Sequence, residues 1–264
     1  MAALLDDAMP RQDISSQLSK KLIKDFGDSG WKPKKEACEK IEGIFAGAGN
    51  RILPTGLGEL TTTLKGVLVS ESNKAVQKAV LHLIGSIGAS LGPAASKFTA
   101  KFYPRIVDFL SNKAADVRGE ALGAMDAWGE ALGAEALFQY FPERLKNESP
   151  ELRCDLLAWM VTAVTKNGEE LLKNPKVELK HFIPQLLSCL DARQPSVRGV
   201  AEKFVALAVP AIGAAPFHIV MKDLKPGVVK SIKPIVDKYA TNEPVDLGAS
   251  QKLSKIKSAS SFDD

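Results

Sequence analysis

The chain has 264 residues, of which 45% are hydrophobic and 25% are charged, and its formal net charge is +4. This composition is typical of a soluble globular protein, and the length allows one large domain or two small ones. The basic excess is too small for a dedicated nucleic-acid binder, but it suits an acidic protein partner. The three cysteines, Cys38, Cys154 and Cys189, lie far apart, which argues against a disulfide scaffold or a zinc site and favours a reducing, cytoplasmic setting.

No segment has the pattern of a signal peptide or of an unbroken membrane span. The first ten residues lack a basic region followed by a long apolar one. Two uncharged stretches, 79–96 and 204–221, are interrupted by Gly or Pro and have helical amphipathic spacing, whereas a span needs about 20 consecutive apolar residues. We therefore expect both stretches to be buried helices.

We expect residues 1–12 to be a linker. The helical patterns that follow it come in pairs. First helices are predicted at 14–26, 57–68, 95–110, 134–145, 177–190 and 217–224, with similar kinks at Pro104 and Pro184. Each is followed by a second helix, and the last, 228–239, completes a capping pair. Apolar residues recur at steps of four, seven, eight and eleven from the anchors Val76, Val117, Leu152 and Val197, and more weakly from Pro33. Such spacing places them on one helical face, which neighbouring pairs must cover by stacking.

The pairs are related by an internal repeat. Residues 102–121 align with residues 182–201 without a gap, and the two segments share Phe, Pro, Leu, Val, Arg, Gly and Ala at seven positions. The offset of 80 residues is two periods of about 40, the length of a HEAT or armadillo unit. We therefore predict an all-α solenoid of about six HEAT repeats over residues 13–239. The predicted repeats are 13–48, 57–90, 94–132, 134–167, 176–212 and 214–239, and 240–264 is predicted to be a flexible linker.

Short turns join the two helices of each pair. They are predicted at 27–32, 70–73, 111–115, 147–149 and 191–194, and Asn73 and Ser149 are N-cap signals for the helices that follow. Equivalent turns of a stacked solenoid line up along one edge, so we expect a single row of turns along the domain.

Trp31 is the unusual residue of this row, because a large aromatic side chain in a turn has no evident core to join. Exposed aromatic residues are frequent binding hot spots. The alternative is that the indole folds back onto Phe26 or Pro33. Trp128 and Trp159, by contrast, occupy buried-face positions, and we expect both in the core.

Basic and amide side chains continue along the same turns. Asn73, Lys113 and Arg193 stand 40 and 80 residues apart, so they should project from comparable places. Most charged turn residues are merely solvated, but alignment along one edge favours a binding surface that would steer an acidic partner. The full set is Lys32, Lys34, Lys35, Asn73, Lys74, Asn112, Lys113, Asn147, Arg193 and Gln194.

Three arginines, Arg118, Arg153 and Arg198, each follow a repeat anchor directly. Recurrence at one repeat position favours a structural role, such as pairing with a carboxylate of the neighbouring unit, over contact with a partner.

The sequence does not predict an enzyme, a metal site or a cofactor. His82, His181 and His218 lie singly within helical patterns, without a nucleophile or metal-ligating residue nearby in sequence. There is also no Gly-rich loop of the kind that holds phosphates.

Several segments resemble a known family. They are G-D-S-G-W-K-P-K-K-E-A from Gly27, L-G-E-L-T-T-T-L-K-G-V-L from Leu57 with S-N-K from Ser72, and N-K-A-A-D-V-R from Asn112. The chain resembles a TOG (tumour overexpressed gene) domain of the Mini spindles-type microtubule polymerases, which carry such domains in tandem arrays. Three further segments are most similar to the fourth TOG domain of such arrays: D-A-W-G-E-A-L-G, S-P-E-L-R-C-D-L-L-A-W and S-C-L-D-A-R-Q-P-S-V-R.

The resemblance implies a paddle-like solenoid that binds αβ-tubulin or the microtubule lattice through the turns within its repeats. On this pattern Trp31 contacts β-tubulin, Arg193 reaches toward α-tubulin, and the fourth turn, with the acidic Glu148, contributes little. The implied tubulin-binding residues are Trp31, Lys32, Ser72, Asn73, Lys74, Asn112, Lys113, Asn147, Arg193 and Gln194.

The resemblance also implies one binding module of a longer polymerase, beside neighbouring TOG domains that raise the local tubulin concentration. Such a module would be monomeric in isolation, would bind neither nucleic acid nor membrane, and would act at microtubule plus ends, the spindle and the centrosome. The alternative is a HEAT scaffold that binds a different protein through its concave face or the opposite edge.

Overall fold

Helical pairs follow one another through residues 10–27 and 30–240, which the computed structural model describes. The α-helices are α1 Lys20–Lys24, α2 Trp31–Gly47, α3 Leu57–Ser70, α4 Lys74–Leu91, α5 Thr99–Asp108, α6 Ala115–Leu132, α7 Phe141–Leu145, α8 Pro150–Asn167, α9 Glu170–Lys173, α10 Ile183–Leu190, α11 Pro195–Ile212, α12 Ala215–Met221 and α13 Pro226–Lys238. Short 3-10 segments are Asp25–Gly27, Gly92–Phe98, Phe109–Ser111, Ala134–Ala136, Phe138–Tyr140 and Leu179–Phe182. The described residues contain no β-strand; Gln12 and Ile52 form an isolated parallel bridge.

Two layers of helices enclose the core. The first helices of the pairs are α1, α3, α5, α7, α10 and α12, and the second helices are α2, α4, α6, α8, α11 and α13. The repeat anchors Val76, Val117, Leu152 and Val197 are all fully buried between the layers. The predicted α-solenoid of HEAT-type pairs is therefore confirmed.

In the first, third, fourth and fifth pairs the first helix is shorter than the sequence predicts, because 3-10 segments replace part of it, whereas α3 covers its whole predicted range. The expected helix 134–145 consists of two 3-10 turns and the single turn of α7, which begins at Phe141 just before Pro142. The expected helix 14–26 starts as an α-helix only at Lys20, where the Ser19 hydroxyl accepts the Leu22 N–H.

Pro104 and Pro184, which were expected to kink their helices alike, occupy different positions in those helices. Helix α5 runs through Pro104, whereas α10 begins at Ile183 with Pro184 in its first turn. A proline in the first turn costs no hydrogen bond because its N–H position has no helical partner there. The expectation of equal kinks was wrong.

Trp128 forms the centre of the core, as predicted. Its side chain is fully buried, its Nε1 donates to the Ile84 carbonyl over 2.9 Å, and its ring meets Phe102 edge-on at 6.1 Å. The ring lies against Gly88 of α4, where an added Cβ would stand 2.6 Å from Nε1. Glycine is required at this position because α4 and α6 approach each other closely.

The second helices pack side by side except at the joint between α6 and α8. A groove of about 460 Å³ separates these two helices. Trp159 bridges it by donating from Nε1 to the Asp126 carboxylate over 2.8 Å, and Lys166 pairs with Glu130 over 3.3 Å. Trp159 is 9% exposed and packs against Phe141, which confirms its predicted place in the core.

The predicted N-terminal linker, 1–12, does not hold for its last residue. The Gln12 N–H donates to the Arg51 carbonyl over 2.8 Å, and its own carbonyl accepts from Leu53 over 2.9 Å. Backbone pairing therefore joins Gln12 to the α2–α3 connection. Residues 1–9 and 241–264 lie outside the described residues, and the linkers predicted there remain predictions.

Core packing accounts for the apolar stretches. The helical run 74–111 is long and apolar enough to cross a membrane by composition, but 61% of its most apolar window is buried inside the protein. The pair α11 and α12 passes the same test only jointly and is bent by 119°. Both stretches are hydrophobic because they are core helices of the stack.

Candidate protein-binding edge

The turns between first and second helices lie along one edge of the stack. We define the turn edge as Trp31 with residues 71–74, 112–114, 146–149, 191–194 and 222–225. Three contacts join residues of this edge to the second helix of a neighbouring pair: Glu71 to Lys34 at 2.6 Å, Asn112 Nδ2 to Gln77 Oε1 at 3.5 Å, and Lys113 to Glu151 at 3.2 Å. At the other end, the fourth, fifth and sixth turns line one groove of about 820 Å³.

Trp31 is exposed at the end of this edge. It is the first residue of α2, which begins two residues earlier than the predicted turn 27–32 implies, with Gly30 as the N-cap. Its exposed fraction is 45%, so the indole is not sealed in the core. The Lys32 Nζ lies 5.7 Å from the ring centroid, within the range of a cation–π contact. Asp28 and Ser29 of the predicted turn lie outside the described residues.

The amide side chains of the turns build the turns themselves. Two residues before each N-cap, an oxygen of Glu71, Asn112 or Asn147 accepts the backbone N–H of the cap residue over 2.8 to 2.9 Å. Asn73 is itself an N-cap, and its oxygen accepts from Ala75 and Val76. Side-chain oxygens that satisfy local N–H groups in this way fix the turn conformation.

The recurring basic residues after the anchors close the same turns. In four of the second helices, α4, α6, α8 and α11, the fourth residue donates to the carbonyl two residues before the cap. The donor–acceptor pairs are Gln77 to Glu71, Arg118 to Asn112, Arg153 to Asn147 and Arg198 to Ala192. Arg118 also pairs with Asp155 of the next unit over 2.8 Å. The predicted structural role of these arginines is confirmed, and Gln77 belongs to the same set.

This regular pattern corrects the predicted alignment of the edge. Lys113 and Arg193 both stand one residue before an N-cap, whereas Asn73 is a cap. The residue of the second turn that matches Lys113 is therefore Ser72, and that of the fourth turn is Glu148. Substitution analysis along the edge should compare these four positions.

Several lysines of the edge are held by carboxylates of the protein itself. Lys34 and Glu71 form a largely buried pair, and the Lys34 ammonium group and the Asn73 N–H hold the pKa of Glu71 below its usual range. Glu151 accepts from its own backbone N–H, the Ser149 hydroxyl and Lys113, which together lower its pKa to about 2. Lys34 is thus internal, and the charge of Lys113 is partly compensated.

Among the predicted site residues, the cations that remain for a partner are Lys32, Lys74 and Arg193. All three are exposed, and none has a carboxylate partner among residues 10–27 and 30–240. Lys222 and Lys225 of the sixth turn are exposed in the same way. Ser72, Asn147 and Gln194 are exposed beside them. The edge therefore offers an indole at one end and unpaired positive charges at intervals, which suits a large protein surface of acidic character.

Val69 is a residue of this region that the sequence argument missed. It belongs to the last turn of α3, next to the second turn of the edge, and its exposed fraction is 57%. A break in the helical pattern could have revealed it, because the buried residues Leu64, Val67 and Leu68 leave Val69 on the opposite face.

Known proteins with similar sequences are several times longer than this chain. Protein MOR1 of Arabidopsis thaliana is 27% identical over 263 residues, which cover 94% of this chain and 13% of that protein. Protein mini spindles of Drosophila melanogaster is 25% identical over 241 residues, which cover 90% and 12%. The chain thus spans about an eighth of the length of these relatives. No family model matches it.

Solved structures give the architecture. A chain from a structure of microtubule plus-end tracking by XMAP215, CLIP-170 and EB1 covers 90% of this chain with a TM-score of 0.65 and 20% identity. TOG3 of Drosophila melanogaster Mini spindles covers 86% with a TM-score of 0.59 and 18% identity. The chain has the TOG fold. The edge described above is accordingly the set of turns within the helical repeats of this fold.

The remaining candidates for chemistry in this fold are metal-ligating side chains and thiols. Within the described ranges no three His, Cys, Asp or Glu side chains are placed to hold a metal ion. Burial raises the pKa of Cys38 to about 12 and that of Cys189 to about 11, so both thiols are protonated and unreactive at neutral pH.

Proposed function

We propose that this TOG domain binds αβ-tubulin, free or in the microtubule lattice, through the turn edge. The exposed indole of Trp31 is the observation that carries the proposal, because a half-exposed tryptophan at the end of a row of unpaired cations is a typical protein-binding anchor. Trp31 would pack against one tubulin subunit, and Arg193 would reach the other. Lys32, Ser72, Lys74 and Lys113 would face acidic tubulin groups between them.

A structural neighbour supports the choice of partner. A chain from a structure of tubulin recruitment and assembly by microtubule polymerases with TOG domain arrays matches 87% of this chain with a TM-score of 0.69. We propose that the chain is likewise one module of a longer polymerase that promotes plus-end growth and spindle assembly in the cytoplasm. Linked modules would hold tubulin at high effective concentration. The segments from Asp126, Ser149 and Ser188 support a position as the fourth domain of such an array.

The decisive experiment compares two exposed apolar residues at opposite edges. Trp31→Ala removes the anchor, and Leu53→Ala, in the α2–α3 connection, is the matched control because Leu53 is also exposed, at 36%. A Trp residue has roughly 250 Å² of surface, of which the exposed 45% is about 110 Å². Burying it contributes at most about 2.8 kcal/mol, so a loss of about 2 kcal/mol, or roughly 30-fold in Kd, is expected.

Binding is measured by gel filtration with free tubulin and by co-sedimentation with microtubules, on variants shown by circular dichroism to be folded. We expect Trp31→Ala to weaken binding in at least one assay and Leu53→Ala to change neither. The opposite result would favour the alternative, a HEAT scaffold that binds another protein at the far edge. If neither variant changes binding, the turn edge is not the tubulin-binding surface.

A further inference from the structure

The first helices of the first three pairs carry an excess of positive charge that the second helices lack. The segments α1 with Asp25–Gly27, α3, and Gly92–Phe98 with α5 contain seven Lys or Arg and three Asp or Glu. The partner layer, α2, α4 and α6, contains seven of each. The basic excess of the whole chain is therefore concentrated on one face of its N-terminal half.

The repeat register places three of these cations side by side. Lys101 Nζ of α5 lies 3.0 Å from the Thr61 hydroxyl of α3, so residues 40 apart are neighbours where these two helices meet, and the repeat extends the same register to α1. Lys24, Lys65 and Arg105 are separated by 41 and 40 residues, and all three are exposed. We call these three residues the basic stripe.

Few carboxylates compensate the basic stripe. Arg105 approaches Asp108 at 3.5 Å, but Asp108 also pairs with Arg144 at 3.3 Å. Lys24 and Lys65 have no carboxylate partner within the part of the chain that the structure describes. Lys20, Lys21 and Lys97 add exposed positive charge nearby, and the acidic residues Asp25 and Glu59 oppose it.

We propose that the basic stripe binds an acidic, unfolded polypeptide segment that crosses α1, α3 and α5. Packed helices lie 8 to 10 Å apart, so the stripe is about 20 Å long, which about six residues of extended chain can span. Opposite charge is the feature that selects this partner. The described part of this face has no exposed aromatic residue for stacking nucleotide bases, which argues for a polypeptide over single-stranded nucleic acid.

This surface is distinct from the turn edge, so the proposal stands apart from tubulin binding. The test uses a fluorescein-labelled peptide of about twelve alternating Glu and Gly residues and measures its anisotropy on titration with the domain. The stripe variant is Lys24→Gln/Lys65→Gln/Arg105→Gln. The matched control is Lys180→Gln/Lys203→Gln/Lys230→Gln, which removes the same charge from exposed lysines on three other helical segments.

We expect the stripe variant to weaken peptide binding about tenfold, because each exposed charge pair contributes roughly a factor of two. The control variant should bind like the unmodified protein, and added salt should abolish the difference between them. Equal weakening by both variants would show that net charge alone attracts the peptide and would overturn the proposal. The proposal would also be overturned if a single-stranded oligonucleotide of equal charge bound more tightly than the peptide and depended on the same three residues.

Discussion

The contact between Gly88 and Trp128 allows a sharp test of how the repeats pack. Replacing Gly88 by alanine adds one carbon atom that would stand 2.6, 2.7 and 2.9 Å from Nε1, Cδ1 and Cε2 of the indole. The ring cannot retreat easily, because it is fully buried and its Nε1 is bonded to the Ile84 carbonyl. Either α4 and α6 must move apart or the hydrogen bond must break.

The sign of the effect follows from two opposing contributions. Gly→Ala inside a helix stabilises by up to about 1 kcal/mol. Overpacking a dense core costs about 1 to 3 kcal/mol, and three ring atoms closer than any normal contact place Gly88 at the upper end. The net loss is about 2 kcal/mol, which lowers Tm by about 4 to 8 °C for a domain of this size.

Gly119→Ala is the matched control, because Gly119 lies inside α6 with no atom within 4 Å of an added Cβ. This variant should raise Tm by about 2 to 4 °C, since only the helix contribution remains. Thermal unfolding followed by circular dichroism measures both. In a Trp128→Phe background the cost of Gly88→Ala should fall by about 1 kcal/mol or more. The packing argument would be refuted if Gly88→Ala and Gly119→Ala shifted Tm in the same direction. It would also be refuted if Gly88→Ala cost as much in the Trp128→Phe background as in the unmodified protein.

Two further predictions concern the contacts that hold the turn edge. Arg118→Ala should cost about 2 to 3 kcal/mol in urea unfolding because it leaves the half-buried Asp155 unpaired, whereas Arg198→Ala, which breaks bonds to turn carbonyls only, should cost about 1 kcal/mol. Because the folded pKa of Glu71 is lowered, its pair with Lys34 stabilises the domain above the ordinary carboxyl pKa of about 4.3 and loses that contribution as pH falls below it. Lys34→Met should therefore destabilise at pH 6 by about 2 kcal/mol, and urea titrations should show the difference from the unmodified protein shrinking toward pH 2; a constant difference would contradict the assignment.

The fold was predictable wherever local and global signals agree. The second helices have continuous 3.6-residue periodicity, start signals such as Asn73 and Ser149, and one buried face, and their positions follow from these features. The first helices were less predictable, because 3-10 segments with local hydrogen bonds three residues apart precede Pro142 and Pro184, and apolar periodicity does not report where an α-helix gives way to them. The Tyr-Phe-Pro run at 140–142 matches the Phe-x-Pro signal at the other two positions and could have revealed this similarity.

The turn edge was predictable in place but not in detail. Periodicity puts the turns on one edge, and Trp31 is conspicuous there because a turn normally lacks large aromatic residues. Which lysines are free depends on carboxylates about 37 residues away, such as Glu71 for Lys34 and Glu151 for Lys113. Such pairs form between side chains of neighbouring repeats, so they depend on the packing of the repeats as well as on residue type.

This division of charge has a consequence for how the edge can bind. Lysines paired within the protein hold adjacent turns in fixed relative positions, so the unpaired groups Lys32, Lys74 and Arg193 are presented on a rigid frame. A rigid frame loses little conformational freedom on binding, and its unpaired cations need no internal ion pair to be broken first. Removing an internal pair such as Lys34–Glu71 should therefore weaken partner binding even though neither residue is available for contact, whereas removing Lys74 should weaken it without changing the stability of the domain. The two effects are separated by measuring both the Kd for the partner and the free energy of unfolding for each variant. If the two variants weaken binding equally and lower the free energy of unfolding equally, the edge does not act as a preformed surface.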